Sequence, residues 1–219
     1  MNKTDYLEQI AAKVRDIAEE INNIDIEKYL DEAIAIYSKY KPLEKVVNVS
    51  VRTPGTKFNL PVDWENGFSC INSIIYPIEL FPLYTLPSDV YEIFLDEGNI
   101  YKIRFVKNIV SDFDINYTIR HSFNNSNPPA ATIPDCDFFC VCNIASGIYL
   151  QALANRYCEN INPTIGSSSI NYDDKSAKYR KLAGDFFLQA ANWLGLNIAM
   201  NNGFAFELVP VNSDQKIEF

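Results

Sequence analysis

Apolar residues recur along this chain with two periods, and the period changes twice. In residues 5–22, Leu7, Ile10, Val14, Ile17 and Ile21 stand three and four apart, the spacing of one helix face, with Asp5 and Glu8 placed to cap the first turn. Asn22-Asn23 breaks that stripe. Asp25 is then placed to cap a second helix with the apolar set Ile26, Tyr29, Leu30, Ala33, Ile34 and Tyr37. Pro42 predicts its end at Lys41, because the residue before a proline is driven out of helical geometry.

Beyond Pro42 the pattern becomes one of alternation. Val47, Val49 and Val51 alternate with polar neighbours, and the turn Thr53-Pro54-Gly55-Thr56 leads to Phe58 and Leu60. The tight-turn pair Asn66-Gly67 opens onto a strand over residues 70–76, whereas Pro77, Pro82 and Pro87 predict an extended or looped stretch, since each removes a backbone donor. Residues 90–95 and 100–105 flank Asp96-Glu97-Gly98-Asn99 as a hairpin. Phe113, Ile115, Tyr117 and Ile119 make a last strand, closed by the polar run 122–127 and Pro128-Pro129.

Helical spacing then returns over 136–159 and 172–193, joined by a polar turn over 160–171. Val141, Ile144, Ala145, Ile148, Ala152 and Leu153 form one face turned to a core. After Trp193, Gly195, Asn197, Asn201, Asn202 and Gly203 resist a helix, and Phe204, Phe206, Leu208, Val209 and Val211 form a short apolar, β-prone stretch before an acidic end at Phe219. The class read from these patterns is α+β. A helical bundle of two N-terminal and two C-terminal helices (1–43 and 134–196) carries an inserted β subdomain (44–133) and an extended C-terminal arm (197–219). Four helices separated in this way share a core only if the insertion leaves and returns at neighbouring points, which predicts that Pro42 and Pro134 lie close together.

At 219 residues and 47% hydrophobic composition the chain suits one large domain or a domain with an insertion. The net charge of −9 is spread evenly: residues 1–41, 42–133 and 134–219 carry 6, 7 and 6 basic against 9, 10 and 9 acidic residues. An even acidic surface argues against tight phosphate-backbone binding, and the one basic cluster, Lys175, Lys178, Arg180 and Lys181, reads as a solvated helix face. The amino terminus runs straight into an acidic amphipathic helix, so no signal peptide is expected. No apolar run is read as approaching the ~18 residues of a membrane span, so no membrane contact is expected. Five cysteines, an odd number, fit free thiols in a reducing compartment.

Candidate chemistry is sparse. Cys136 and Cys140 share a helix face, but Cys142 points away from Cys140 and only Cys158 is nearby on the same helix, so the cluster reads as packed thiols rather than a zinc site. His121, the one histidine, follows a strand with no nucleophile elbow nearby and reads as a surface or interface residue. Asp63 with Glu65, and Asp112 with Asp114, stand two apart in β-like segments, where paired acids can perform glycosidic acid–base chemistry; as solvent-facing strand residues they need no such role. Phosphate-binding glycine loops and H-E-x-x-H are absent, and neither cofactor nor catalytic residue is expected.

Several stretches, in order, resemble a known group. Asn143-Ile-Ala-Ser-Gly-Ile-Tyr-Leu-Gln-Ala-Leu-Ala-Asn-Arg-Tyr157, Asn162-Pro-Thr-Ile165, Ser169-Ile-Asn-Tyr172 and Lys175-Ser-Ala-Lys-Tyr179 are similar to segments of structural proteins from tailed-phage and prophage morphogenesis clusters. Ala33-Ile-Ala-Ile-Tyr-Ser-Lys-Tyr-Lys-Pro42 and Trp64-Glu65-Asn66-Gly67-Phe68, with Ile71 to Pro77, are similar to helix-end and central elements of the same group. Where its members often carry an acidic residue and Ser-Val before the second helix, this chain has Ser168-Ser169-Ile170.

The resemblance implies a head–tail connector, or adaptor. Such a protein is a non-enzymatic virion component made in the host cytoplasm, arranged as a homo-oligomeric, dodecameric ring at the head–tail junction. Its implied partners are the portal protein, downstream neck and tail proteins, and passing DNA through transient, non-specific contact. Inter-subunit or portal contacts are expected at Tyr157, Tyr172, Tyr179 and, in the arm, at Phe204, Phe206, Leu208, Val209, Val211 and Phe219. The alternatives are a tail-associated carbohydrate-binding or carbohydrate-hydrolysing protein, and another neck ring such as a stopper or tail terminator.

Overall fold

The computed structural model describes residues 1–14, 23–79, 81–98, 100–124, 129–158, 164–165, 168–169 and 172–196. The expected C-terminal arm, with Phe204, Phe206, Leu208, Val209, Val211 and Phe219, lies outside them, as do residues 15–22 of the first predicted helix. Among the described residues the fold is mixed α+β, with four helices, two three-stranded antiparallel sheets and one two-stranded pair. Two compact units divide the chain, Met1–Tyr40 with His121–Phe219, and Lys41–Arg120.

In the first unit, helix α1 (Lys3–Val14) begins with a reciprocal cap: Asp5 N–H donates to Asn2 Oδ1 at 3.0 Å and Asn2 N–H donates to Asp5 Oδ2 at 2.7 Å. Helix α2 (Asn23–Tyr40) buries Ile26, Leu30, Ala33, Ile34 and Tyr37 and stops one residue before the expected Lys41. Pro134 leads through a 3₁₀ turn, Asp135–Asp137, into α3 (Phe138–Cys158). A short antiparallel pair, β7 (Thr164–Ile165) with β8 (Ser168–Ser169), falls within the expected polar turn before α4 (Tyr172–Trp193). Gly195 ends α4 at φ +70°, with Leu196 N–H donating to Ala191 O at 2.9 Å and Gly195 N–H to Asn192 O at 3.2 Å, the paired bonds of a Schellman cap.

Helix α3 is the centre of this unit, touched by α1, α2 and α4. The expectation of one apolar face is corrected here. Cys140, Cys142, Asn143, Ser146 and Gly147 are buried as well as Val141, Ile144, Ala145 and Leu153, whereas Ile148 and Ala152 are only half-buried. A helix covered on three sides needs apolar or small residues around most of its circumference. The same fact corrects the reading that no run reaches membrane length. The helical stretch Asp135–Cys158 is long and apolar enough to cross a bilayer by length and composition, with a mean hydropathy of 1.4 in an 18-residue window, but 72% of that window is buried inside the protein.

The chain leaves this unit after Tyr40 and returns at His121, a crossing expected at Pro42 and Pro134. His121 N–H donates to Ser38 Oγ at 3.0 Å, so the two sides of the crossing are neighbours. Residues 121–124 and 129–133, placed in the β insertion by their polarity, lie with the helices. Ala131 N–H pairs with Met1 O at 3.1 Å, Phe123 and Ala131 pack on the helical core, and Ile133 is part of it.

The second unit holds strands β1 (Leu43–Val49), β2 (Gly55–Asn59), β3 (Ile71–Ile75), β4 (Tyr91–Leu95), β5 (Tyr101–Ile109) and β6 (Phe113–Ile119). One sheet has the order β1-β6-β3 and the other β2-β5-β4, all neighbours antiparallel. Inward residues of both sheets, Ile74, Phe113 and Ile115 from one and Ile103, Phe105 and Ile109 from the other, form a single core. Phe58 meets the rings of Phe105 and Phe113 edge to face at 5.9 and 5.2 Å. The unit begins and ends on a paired position, Leu43 opposite Ile119.

Candidate functional site

The helical unit contains a buried polar cluster that its sequence did not announce. Asp137, at the N-terminal end of α3, accepts the Tyr37 hydroxyl at 2.6 Å and the Trp193 indole N–H at 2.5 Å. One carboxylate thereby joins the ends of α2, α3 and α4, and a negative charge at a helix N-terminus also meets the positive end of the helix dipole. Burial, together with the bond to Asp137, pushes the Tyr37 hydroxyl well above its ordinary pKa, so it remains a donor.

Beside it, His121 is corrected from a surface residue to a buried one. Its ring stands 5.3 Å from that of Tyr37, and its Nδ1 lies 3.1 Å from Thr132 Oγ1. These side chains are engaged in holding elements together. The one sequence signal for the cluster was Asp135-Cys136-Asp137 directly after Pro134, acids placed where a helix begins.

The other candidates also have partners. Asp63 and Glu65, expected on one strand face, lie in the loop between β2 and β3. Burial would raise the Asp63 carboxyl, but its bonds to Lys45 and Tyr117 outweigh that and hold it below the usual range. Glu65 pairs with Arg120 at 3.1 Å, Asp112 accepts Val51 N–H at 2.7 Å and Asp114 accepts Asn48 Nδ2–H at 2.9 Å. None of the five cysteines is in a disulfide: Cys140 and Cys142 are buried, Cys70, Cys136 and Cys158 exposed. Burial pushes the Cys142 thiol up to about 12. Among the described residues no group of three His, Cys, Asp or Glu could hold a metal ion.

The tyrosines expected at contacts divide. Tyr157 is buried and stacks on Tyr179 at 5.5 Å, so this pair joins α3 to α4 inside one chain. Tyr172 opens α4. Of the small residues in α3, Gly147 serves an internal approach: a Cβ built there would stand 2.8 Å from Phe187 Cε1.

The exposed apolar side chains are concentrated elsewhere. Eleven of the fifteen large apolar side chains exposed among the described residues belong to Lys41–Arg120. Phe81, Leu83 and Tyr84 stand out on the proline-marked stretch, with Phe81 96% exposed. Ile93, Leu95, Ile100 and Tyr101 stand out at the end of the β4–β5 hairpin. Each group is a run of neighbours in sequence or across the hairpin rather than a single apolar residue left in water. In comparisons of its sequence, the chain matches no family model and no curated protein.

Proposed function

We propose that this chain is a ring-forming head–tail connector, or adaptor, of a tailed phage or prophage. In this reading a helical bundle carries an inserted β subdomain and a C-terminal arm, and copies assemble between portal and tail around the DNA path. The observation that carries it is the gathering of exposed apolar side chains on the β unit, which gives a scaffold component surfaces to lay against its neighbours. Two further features support it: the buried polar cluster around Asp137 ties helices together, and each of the four candidate carboxylates has a partner within the chain, which favours this reading over the carbohydrate-cleaving alternative. Even acidity suits a wall past which DNA must slide. The apolar stretch Phe204, Phe206, Leu208, Val209 and Val211 is assigned to β-augmentation of a neighbour or of the portal.

Electron-microscopic classification of the purified protein, alone and mixed with portal, tests the assignment. Rings, twelve-fold as the resemblance implies, are the expected result, and removal of residues 198–219 should weaken ring formation or portal binding. A protein that stays monomeric and ignores the portal would sink it.

A further inference from the structure

We propose that copies of this chain join through the two open edges of the β2-β5-β4 sheet, β4 of one copy pairing with β2 of the next. The inference rests on the ring-forming reading and names the surface that closes the ring. Among the described residues, β2 and β4 each pair with β5 alone, so both present unpaired backbone on their outer sides.

The register makes the two edges complementary. One cross-strand row runs Lys57, Arg104, Glu92 on the outer face of the sheet, with a cation at the β2 edge and a carboxylate at the β4 edge. Arg104 pairs with Glu92 and Lys102 with Asp96. Lys57 alone of these three cations has no carboxylate at ion-pair distance among the described residues, lying instead over the Phe94 ring at 5.4 Å. Continuing the sheet sets Lys57 of the next copy beside Glu92.

The adjacent row, Phe58, Ile103, Ile93, belongs to the inner face. Phe58 packs on the core and Ile103 is fully buried, but Ile93 at the β4 edge is 39% exposed. The apolar row therefore runs past the end of its own sheet, and Phe58 of the next copy would cover Ile93. Because β2 and β4 are both antiparallel to β5, they run parallel to each other, so a sheet continued with the same face inward joins them in parallel and the contact is between unlike surfaces, which makes a ring where the rotation from copy to copy closes. At roughly 4.8 Å per strand each copy would add about 14 Å of sheet.

The test measures the mass of the full-length protein by light scattering, with electron microscopy of the particles formed. Ile93→Lys, an inward lysine on an edge strand, should give monomers with unchanged circular dichroism. Lys57→Glu, at an exposed position, should weaken association at least about tenfold. Combining it with Glu92→Lys should restore part of the association, since the swapped charges meet again while the Arg104–Glu92 pair within the chain is lost. Rings that survive either Ile93→Lys or Lys57→Glu would overturn the edge contact and leave the connector reading standing. A wild-type chain that is monomeric both alone and with portal would overturn both.

Discussion

Tyr37 and Asp137 stand 100 residues apart in the sequence and 2.6 Å apart in the fold, hydroxyl to carboxylate. Because the bond is buried and its acceptor is an acid, Tyr37→Phe removes a charge-assisted donor and leaves Asp137 with less solvation. A loss of about 2 kcal/mol is expected, read as a lower urea midpoint with unchanged secondary structure. An unmoved midpoint would show that the indole of Trp193 suffices. Asp137→Asn keeps the shape and should cost less than Asp137→Ala.

Gly147 is fixed by its neighbour on α4. A methyl group at this position would come within 2.8 Å of the Phe187 ring, so Gly147→Ala obliges that ring to move and should cost about 1–3 kcal/mol, despite the better helix propensity of alanine. Adding Phe187→Leu relieves the clash, so the double variant should recover part of the loss. A single variant more stable than the parent would contradict this account.

Alkali should weaken the protein through Cys142. Burial raises its folded pKa from 9.0 to about 12, so above pH 9 the unfolded chain gives up the proton first and stability falls with rising pH. The sign is that of a group bound to more protons when folded, and the slope is about 1.4 kcal/mol per pH unit between the two values. Tyr6, Tyr37 and Tyr117, all raised chiefly by burial, add to the same loss from pH 10 upward. Comparing urea midpoints at pH 8 and pH 10.5 for the parent and for Cys142→Ala checks it; the variant should lose less. In the native protein at pH 8, a thiol reagent should react rapidly with Cys70, Cys136 and Cys158, and reach Cys140 and Cys142 only after denaturation.

Much of the secondary structure was legible because period-2 and period-3.6 patterns are local. The hairpin about Asp96 and Gly98, the strand from Phe113 to Ile119 and both ends of α4 follow directly from them. What failed was coverage. Ile93 and Leu95 share the parity of core residues, yet among the described residues both are left exposed, and nothing in their own segment records that. The reverse held in α3, where Asn143, Ser146 and Gly147 look like solvent-facing positions but are small enough to be enclosed. The cluster of Tyr37, His121, Asp137 and Trp193 was hidden for a third reason, since each member comes from a different segment and only the fold brings them together.

The contact between Ser38 and His121 closes an excursion of 83 residues. For an unstructured loop of that length the closure entropy opposes every contact between α2 and α3, and it grows by about 0.6 kcal/mol with each doubling of length. A folded β unit changes the count, because β1 and β6 already hold Leu43 opposite Ile119. Once those strands have paired, the helices on either side are linked by a few residues, and contacts distant in sequence become kinetically local. On this count a lesion in the core of the β unit, such as Phe113→Ala, should delay formation of helical contacts that lie in another part of the chain.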